Sequence, residues 1–269
     1  MIVYTFDHTL DGLLSAVFDA YALRLLPDEL VRQGAVLPMF CDEVHEVATT
    51  EEKASRVWAG LEKRMSREAV RMLSVSWLSE HTELDTPLFH YIYKVFLQPA
   101  TAKSIETNFA DPDVLFVTNM ARRVAHEQLR MKQFIRFQKA KDGTYLAVVA
   151  PDHNVLPLVI DHFQDRFRNQ PWLIYDAHRH YGYYFTPPLS ENEHSSGNAI
   201  RITFEDEASV PFNLENGKLN DNVISNDDQL LQDLWRTYFK AICIKERLNP
   251  RKQLNDMPRR YWKYMTEKN

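Results

Sequence analysis

The chain has 269 residues, 45% hydrophobic and 26% charged, with a net charge of −5, which describes a folded chain of one large domain or two modest ones. Its longest uncharged, mostly apolar run, near Tyr145–Ala150, is too short to cross a bilayer, and the opening MIVYTFDHTLDG lacks the basic start of a signal peptide. Two cysteines, Cys41 and Cys243, exclude a disulfide framework, a four-cysteine zinc site and a cysteine-ligated iron–sulfur cluster, and a cytoplasmic location is expected.

Met1–Asp7 is β-rich and breaks at Asp7–Gly12. Leu13, Leu14, Val17, Phe18, Tyr21 and Leu25 then recur at helical spacing, giving a strand–turn–helix opening. Val36–Phe40 is a second strand candidate. From Thr49 to Leu97 the pattern is helical, with Thr49 and Glu52 as a capping box, a new start at Ser66 and a third at Pro87. Asp111–Pro112 opens a helix that buries Val117, Met120, Val124 and Met131. Arg122, His126 and Arg130 recur every fourth residue on another of its faces.

After Lys132 the period changes. Phe134–Lys141 and Thr144–Ala150, joined through Asp142–Gly143, predict a hairpin; Asn154–Gln170 is helical; Trp172–Tyr175 and Tyr181–Phe185 are strands. Thr186–Asn226 reads as long loops around one strand at Ile200–Phe204. Asp227–Arg247 reads as a helix with Leu230, Leu231, Leu234, Trp235, Tyr238, Phe239 and Ile242 facing inward, stopped by Pro250. The expectation is an α+β protein: residues 1–132 mostly helical behind a strand–turn–helix, then residues 133–269 as an antiparallel sheet with helices, closed by a long C-terminal helix and a basic, aromatic tail.

Charge is unevenly spread. Arg236–Lys263 holds nine Lys or Arg against Glu246 and Asp256, and Asn119–Lys141 holds seven against the single acid Glu127. Two concentrated basic segments in an acidic chain point to a localised anion-binding surface, or to solvated helix faces paired with acidic neighbours. In Arg247, Arg251, Lys252, Arg259, Arg260, Tyr261, Trp262 and Lys263, guanidinium and ammonium groups suited to phosphate alternate with rings on which unpaired bases stack. Arg122 and Arg130 would extend that track. The structural alternative is a tail that pins itself to the body through Tyr261 and Trp262.

Asp7-His8-x-x-Asp11-Gly12 after a strand resembles the aspartate-rich turns of metal-dependent phosphoesterases, although no second ligand set follows and Pro151-Asp152-His153 stands isolated. The plainer reading has Asp11 capping the helix and Asp7 tightening the turn. His178 and His180 would share a face on a strand and form a two-histidine metal pair, but not in a turn. There is no G-x-S-x-G, phosphate-binding glycine loop or H-E-x-x-H, so neither a catalytic constellation nor a cofactor is expected.

Four blocks resemble a bacterial DNA-metabolism family, domain of unknown function 4130. They are Tyr4-x-Phe6-Asp7 with Asp11-Gly12-Leu13-Leu14; Asn154-Val155-Leu156-Pro157-Leu158 with His162-Phe163 and Arg166-Phe167; Trp172-Leu173-Ile174-Tyr175-Asp176 with Arg179-x-Tyr181-Gly182; and a C-terminal signature. That signature runs through Leu234-Trp235-Arg236-Thr237-Tyr238-Phe239, Glu246-Arg247-x-Asn249-Pro250-Arg251 and Met257-Pro258-Arg259-Arg260-Tyr261-Trp262-Lys263-Tyr264. The resemblance implies a role in DNA repair or modification beside a radical S-adenosylmethionine protein that carries the chemistry. Some members are fused to a uracil-DNA-glycosylase-like domain, for which no length remains here. DNA rather than RNA is the expected partner, with a metal-dependent phosphoesterase using Asp7 and Asp11, or a purely protein-binding scaffold, as alternatives.

Overall fold

In this computed structural model, residues 1–99, 105–188, 197–205, 214–215, 218–220, 222–241 and 249–268 are described. The chain divides into two compact units, Met1–Ala125 and His126–Asn269.

Unit 1 opens with β1 (Ile2–Phe6), α1 (Leu10–Leu23), β2 (Glu29–Arg32) and β3 (Glu43–Glu46), forming a parallel sheet of order β2-β1-β3. Its helices are α2 (Glu51–Arg64), α3 (Arg67–Trp77), α4 (Asp85–Leu97) and the first part of α5 (Pro112–Phe134). Four of the five starts have a side-chain cap, α4 being the exception. Thr9 accepts the Gly12 amide at the head of α1, Thr50 that of Lys53 and Ser66 that of Ala69. Asp111 accepts the amides of Asp113 and Val114 ahead of α5, with Pro112 in the first helical position. Tyr4, Phe6, Leu13, Val17, Leu61, Leu73, Leu88 and Phe89 meet in one core.

Three expectations are corrected here. Thr9, not Asp11, caps α1, because its hydroxyl rather than the Asp11 carboxylate reaches the free amide. Thr50 replaces Thr49 as the cap of α2. Val36–Phe40 is no strand: it belongs to the connection returning from β2 to the start of β3, and Val36, Met39 and Phe40 are among the most exposed apolar side chains.

Unit 2 carries β4 (Gln138–Lys139), β5 (Tyr145–Val149), β6 (Trp172–Asp176), β7 (Tyr181–Thr186) and β8 (Asn198–Thr203) in one sheet of that order, with α6 (Ile160–Arg166) between β5 and β6. The Asp142–Gly143 hairpin is present: Gly143 takes φ 91°, and Asp142 accepts the Thr144 amide. The α+β class holds, but the sheet is mixed rather than antiparallel throughout. β5 and β6 pair in parallel because α6 crosses between them and returns the chain to the same end. A two-residue ribbon, β9 (Leu214–Glu215) and β10 (Lys218–Leu219), precedes α7 (Asn226–Ala241) and α8 (Pro250–Asp256), and the chain closes in 3-10 turns at Arg259–Tyr264 and Thr266–Lys268.

The inward face expected of α7 is also corrected. Leu230, Leu231, Leu234, Trp235 and Tyr238 are 43–62% exposed. Helical period reports which residues share a face, not what covers that face. Cys243 and Ile242 lie outside the described residues, as does the Phe239 side chain.

Candidate nucleic-acid interface

Asn249 and Pro250 start α8 as their types dictate: the Asn249 side chain accepts the Lys252 amide at 3.0 Å, and proline occupies the first helical position. The helix is short. What holds the segment after it is a buried carboxylate on α5.

Glu127 is 1% exposed and receives four donors. The Tyr261 hydroxyl (2.6 Å), Arg260 (3.0 Å) and the Asp152 amide (3.1 Å) reach Oε1, and the His153 amide reaches Oε2 at 2.7 Å. Burial works to raise its carboxyl, but the Tyr261 hydroxyl and the two amides outweigh it and hold Glu127 below the usual glutamate range. The same burial, together with the ionised Glu127, pushes the Tyr261 hydroxyl upward, so it stays a donor. Arg260 also pairs with Asp152 at 2.8 Å.

A second knot adjoins the first at the carboxyl ends of the parallel strands β5 and β6. Asp176, fully buried, accepts the amides of His178 and Arg179 and the Arg179 guanidinium at 3.0 Å. Arg179 then donates to the carbonyls of Pro151 (3.0 Å) and Asp152 (2.9 Å). Burial raises the Asp176 carboxyl, and the Arg179 charge opposes that rise. The Tyr181 hydroxyl donates to Asn154 in the same loop. Gly182 is required beside these residues: a Cβ there would stand 2.6 Å from the Ile174 carbonyl oxygen. Three of the four blocks carrying the family resemblance therefore meet here, through Asn154, Asp176 with Arg179, and Arg260 with Tyr261.

The remaining tail contacts fix its course. Arg130 donates to the Asn255 carbonyl at 3.3 Å, Met265 is fully buried, and Arg136 holds Glu267 at 2.7 Å. The Trp262 indole N–H donates to the Met257 carbonyl at 3.0 Å.

The sequence-derived residues thus separate. Tyr261 is buried and anchors the tail, which removes it as a stacking platform, and Arg260 is engaged with Glu127 and Asp152. Arg130 is spent on a tail carbonyl. Arg251, Lys252, Arg259 and Lys263 are exposed; Lys252 pairs with Asp256 at 3.4 Å. Trp262 is half-buried, with Arg259 over its ring at 5.9 Å and Lys268 at 4.8 Å, and Lys263 lies over Tyr264 at 4.5 Å. Arg122 belongs to unit 1, where it lies over Phe109, and Arg247 is outside the described residues. Glu127, Asp152, Asp176 and Arg179 were not among the expected site residues. The available signal was Glu127 itself, the one acid in the basic segment Asn119–Lys141.

The other candidates resolve differently. His178 and His180 lie in the turn between β6 and β7, so strand alternation does not bring them together, and His180 hydrogen-bonds the Tyr175 hydroxyl at 3.1 Å. Asp7 accepts the Thr9 amide (3.0 Å) and hydroxyl (2.7 Å); partial burial works against its charge, and these bonds outweigh it and lower the carboxyl. Asp11 is an exposed residue of the first turn of α1. Among the described residues, no group of three or more His, Cys, Asp or Glu is arranged to hold a metal ion, and no helix is long and apolar enough to cross a membrane.

The model of a domain of unknown function, DUF4130, matches residues 82–267. No curated protein matches the chain. Among solved structures, a pGpG-specific phosphodiesterase, PggH, from Vibrio cholerae is similar over 89% of this chain and 99% of its own at 11% identity. Its TM-score is 0.28, too low to carry an argument about fold or activity.

Proposed function

The chain belongs to the DUF4130 family, and from that premise we propose that it is a DNA-associated accessory protein in repair or modification, with its C-terminal segment as the contact surface. One observation carries the reading. The segment is fastened from inside by Glu127, Tyr261 and Met265, and the same fastening leaves Arg251, Lys252, Arg259 and Lys263 exposed around a half-buried Trp262. A structural tail needs the first set and not the second. Cations held on a rigid frame beside an indole suit phosphates and an unpaired base, because the frame has already met the ordering cost of binding. Arg260 supports that surface through Glu127 and Asp152.

The family resemblance supports a radical S-adenosylmethionine protein as the partner that performs the chemistry, this chain recognising the nucleic acid. Photocrosslinking of single-stranded DNA containing 5-bromodeoxyuridine, followed by peptide mapping, tests the contact assignment. Adducts on the peptide holding Arg259–Tyr264 are expected, and adducts confined to other peptides would overturn it. Co-purification with the radical enzyme that survives nuclease treatment tests the partnership, and loss of the pair on nuclease treatment would reduce it to shared DNA.

A further inference from the structure

The three strands of unit 1 run parallel, and their order reverses at β1: α1 carries the chain from β1 to β2 on one side, and β3 lies on the other. Open parallel sheets take ligands outside the carboxyl ends of their strands, where the order reverses. A cavity of about 470 Å³ lies at that end. It is lined by Asp7 after β1, Gln33 after β2, and Glu46, Val47, Ala48 and Thr49 at the end of β3. Its volume is that of a small-molecule site.

All three strand ends are tied into this wall. The Gln33 side chain donates to the Glu46 carboxylate at 3.2 Å and so links the ends of β2 and β3 across β1. Asp7 is steered by Thr9, whose amide and hydroxyl both donate to it. Gly12 leaves room for that arrangement: a Cβ there would collide with the Asp7 carboxylate and stand 3.0 Å from the Thr49 hydroxyl oxygen. Val47, buried at the end of β3, and Ala48 add apolar surface.

The lining selects the class of ligand. Two carboxylates, Asp7 and Glu46, oppose a phosphate or any other anion. Helices α1 and α2 both begin beside the cavity, after Thr9 and Thr50, and the partial positive charge of their first turns opposes a cation. A neutral ligand rich in hydroxyls suits both conditions, because each hydroxyl can donate to a carboxylate and accept from the Gln33 amide or the Thr49 hydroxyl. A carboxylate at the end of a parallel strand is well placed for the vicinal hydroxyls of a ribose.

We propose that this cavity binds a neutral ribosyl ligand, with its vicinal hydroxyls on Glu46 and Asp7 and its ring against Val47 and Ala48. The site precedes residue 82, where the family match begins, and stands independently of the tail reading.

Isothermal titration calorimetry of the full chain tests it, with free ribose, adenosine, guanosine, cytidine and uridine at millimolar concentration. Each nucleoside is run beside its 2′-deoxy form and its 5′-monophosphate. At least one ribosyl probe is expected to bind, its 2′-deoxy form at least tenfold more weakly and its monophosphate no more tightly. Ribose bound as tightly as the nucleosides assigns the site to a free sugar, and a preferred nucleoside assigns it to that nucleoside. Glu46→Gln should weaken binding at least tenfold, and Ala48→Phe, which fills the cavity, should abolish it. Both side chains are exposed, so the melting temperature should hold in each variant. Failure of every ribosyl probe to bind, a 2′-deoxy form within tenfold of its parent, or a monophosphate bound more tightly would overturn the proposal. So would binding that either substitution leaves unchanged, or spermidine, a cation without hydroxyls, bound more tightly than any ribosyl probe.

Discussion

The Tyr261 hydroxyl donates to the Glu127 carboxylate at 2.6 Å across 134 positions of sequence, with both groups buried. This bond, with Arg260 and two loop amides on the same carboxylate, joins the C-terminal segment to α5 and to the loop after β5. Glu127→Ala would strand four donors and leave Arg260 without its inner partner. Breaking a buried pair from one side costs about 3–5 kcal/mol, so unit 2 should lose about that much in urea unfolding. Glu127→Gln keeps acceptor oxygen for part of the set and should lose less.

The same carboxylate sets a pH dependence. Its folded value lies below the ordinary glutamate value of 4.5, so it binds fewer protons folded than unfolded in that range. The stabilisation is therefore complete above about pH 4.5 and is lost as the pH falls through the lower folded value. Asp176, raised by burial, acts in the opposite sense, so wild type must be compared with Glu127→Gln. The stability gap between those two proteins should close on acidification below pH 4.5, as measured by urea titrations at successive pH values.

Gly182 is fixed by space rather than by backbone angle. A methyl group there meets the Ile174 carbonyl oxygen at 2.6 Å and the Tyr175 Cα at 3.3 Å, both backbone atoms that cannot swing away. Gly182→Ala should destabilise unit 2 by about 1–3 kcal/mol in calorimetry, the usual penalty for overpacking. Gly143→Ala, with open space but a φ of 91°, tests backbone strain alone at the hairpin.

Local signals in the sequence were strong where one residue type dictates one conformation. Ser66, Asp111–Pro112 and Asp142–Gly143 each announce a helix start or a turn, and each forms the expected hydrogen bond or backbone angle. What escaped was long-range. Val36–Phe40 has strand composition, yet β1 finds its neighbours in Glu29–Arg32 and Glu43–Glu46, and a run of apolar residues carries no mark saying that it will stay exposed. The face of α7 was read correctly as a stripe and wrongly as core. In the C-terminal segment, density of Arg and Tyr was visible, but the division into fasteners and exposed cations depends on Glu127, over a hundred positions earlier.

That division separates two kinds of tail variant. Arg251→Ala, Arg259→Ala and Lys263→Ala together remove exposed cations and should leave the melting temperature within a degree or two, surface changes being worth little. Arg260→Ala removes a partner of buried Glu127 and should lower the melting temperature as well as nucleic-acid affinity. Differential scanning calorimetry of the two proteins side by side distinguishes the roles; equal melting temperatures would mean that Arg260 is no fastener.

The central claim is that these exposed cations bind nucleic acid, and fluorescence anisotropy over a salt series tests it most directly. Labelled single-stranded DNA, duplex DNA and RNA are titrated with the wild-type chain and with the Arg251→Ala, Arg259→Ala, Lys263→Ala protein. The account predicts binding that falls steeply with salt, favours DNA, and in the triple variant is weaker with a slope shallower by about 2–3, since each phosphate contact contributes about 0.7–0.9. No binding at low salt, or an affinity and slope that the triple variant leaves unchanged, would contradict it.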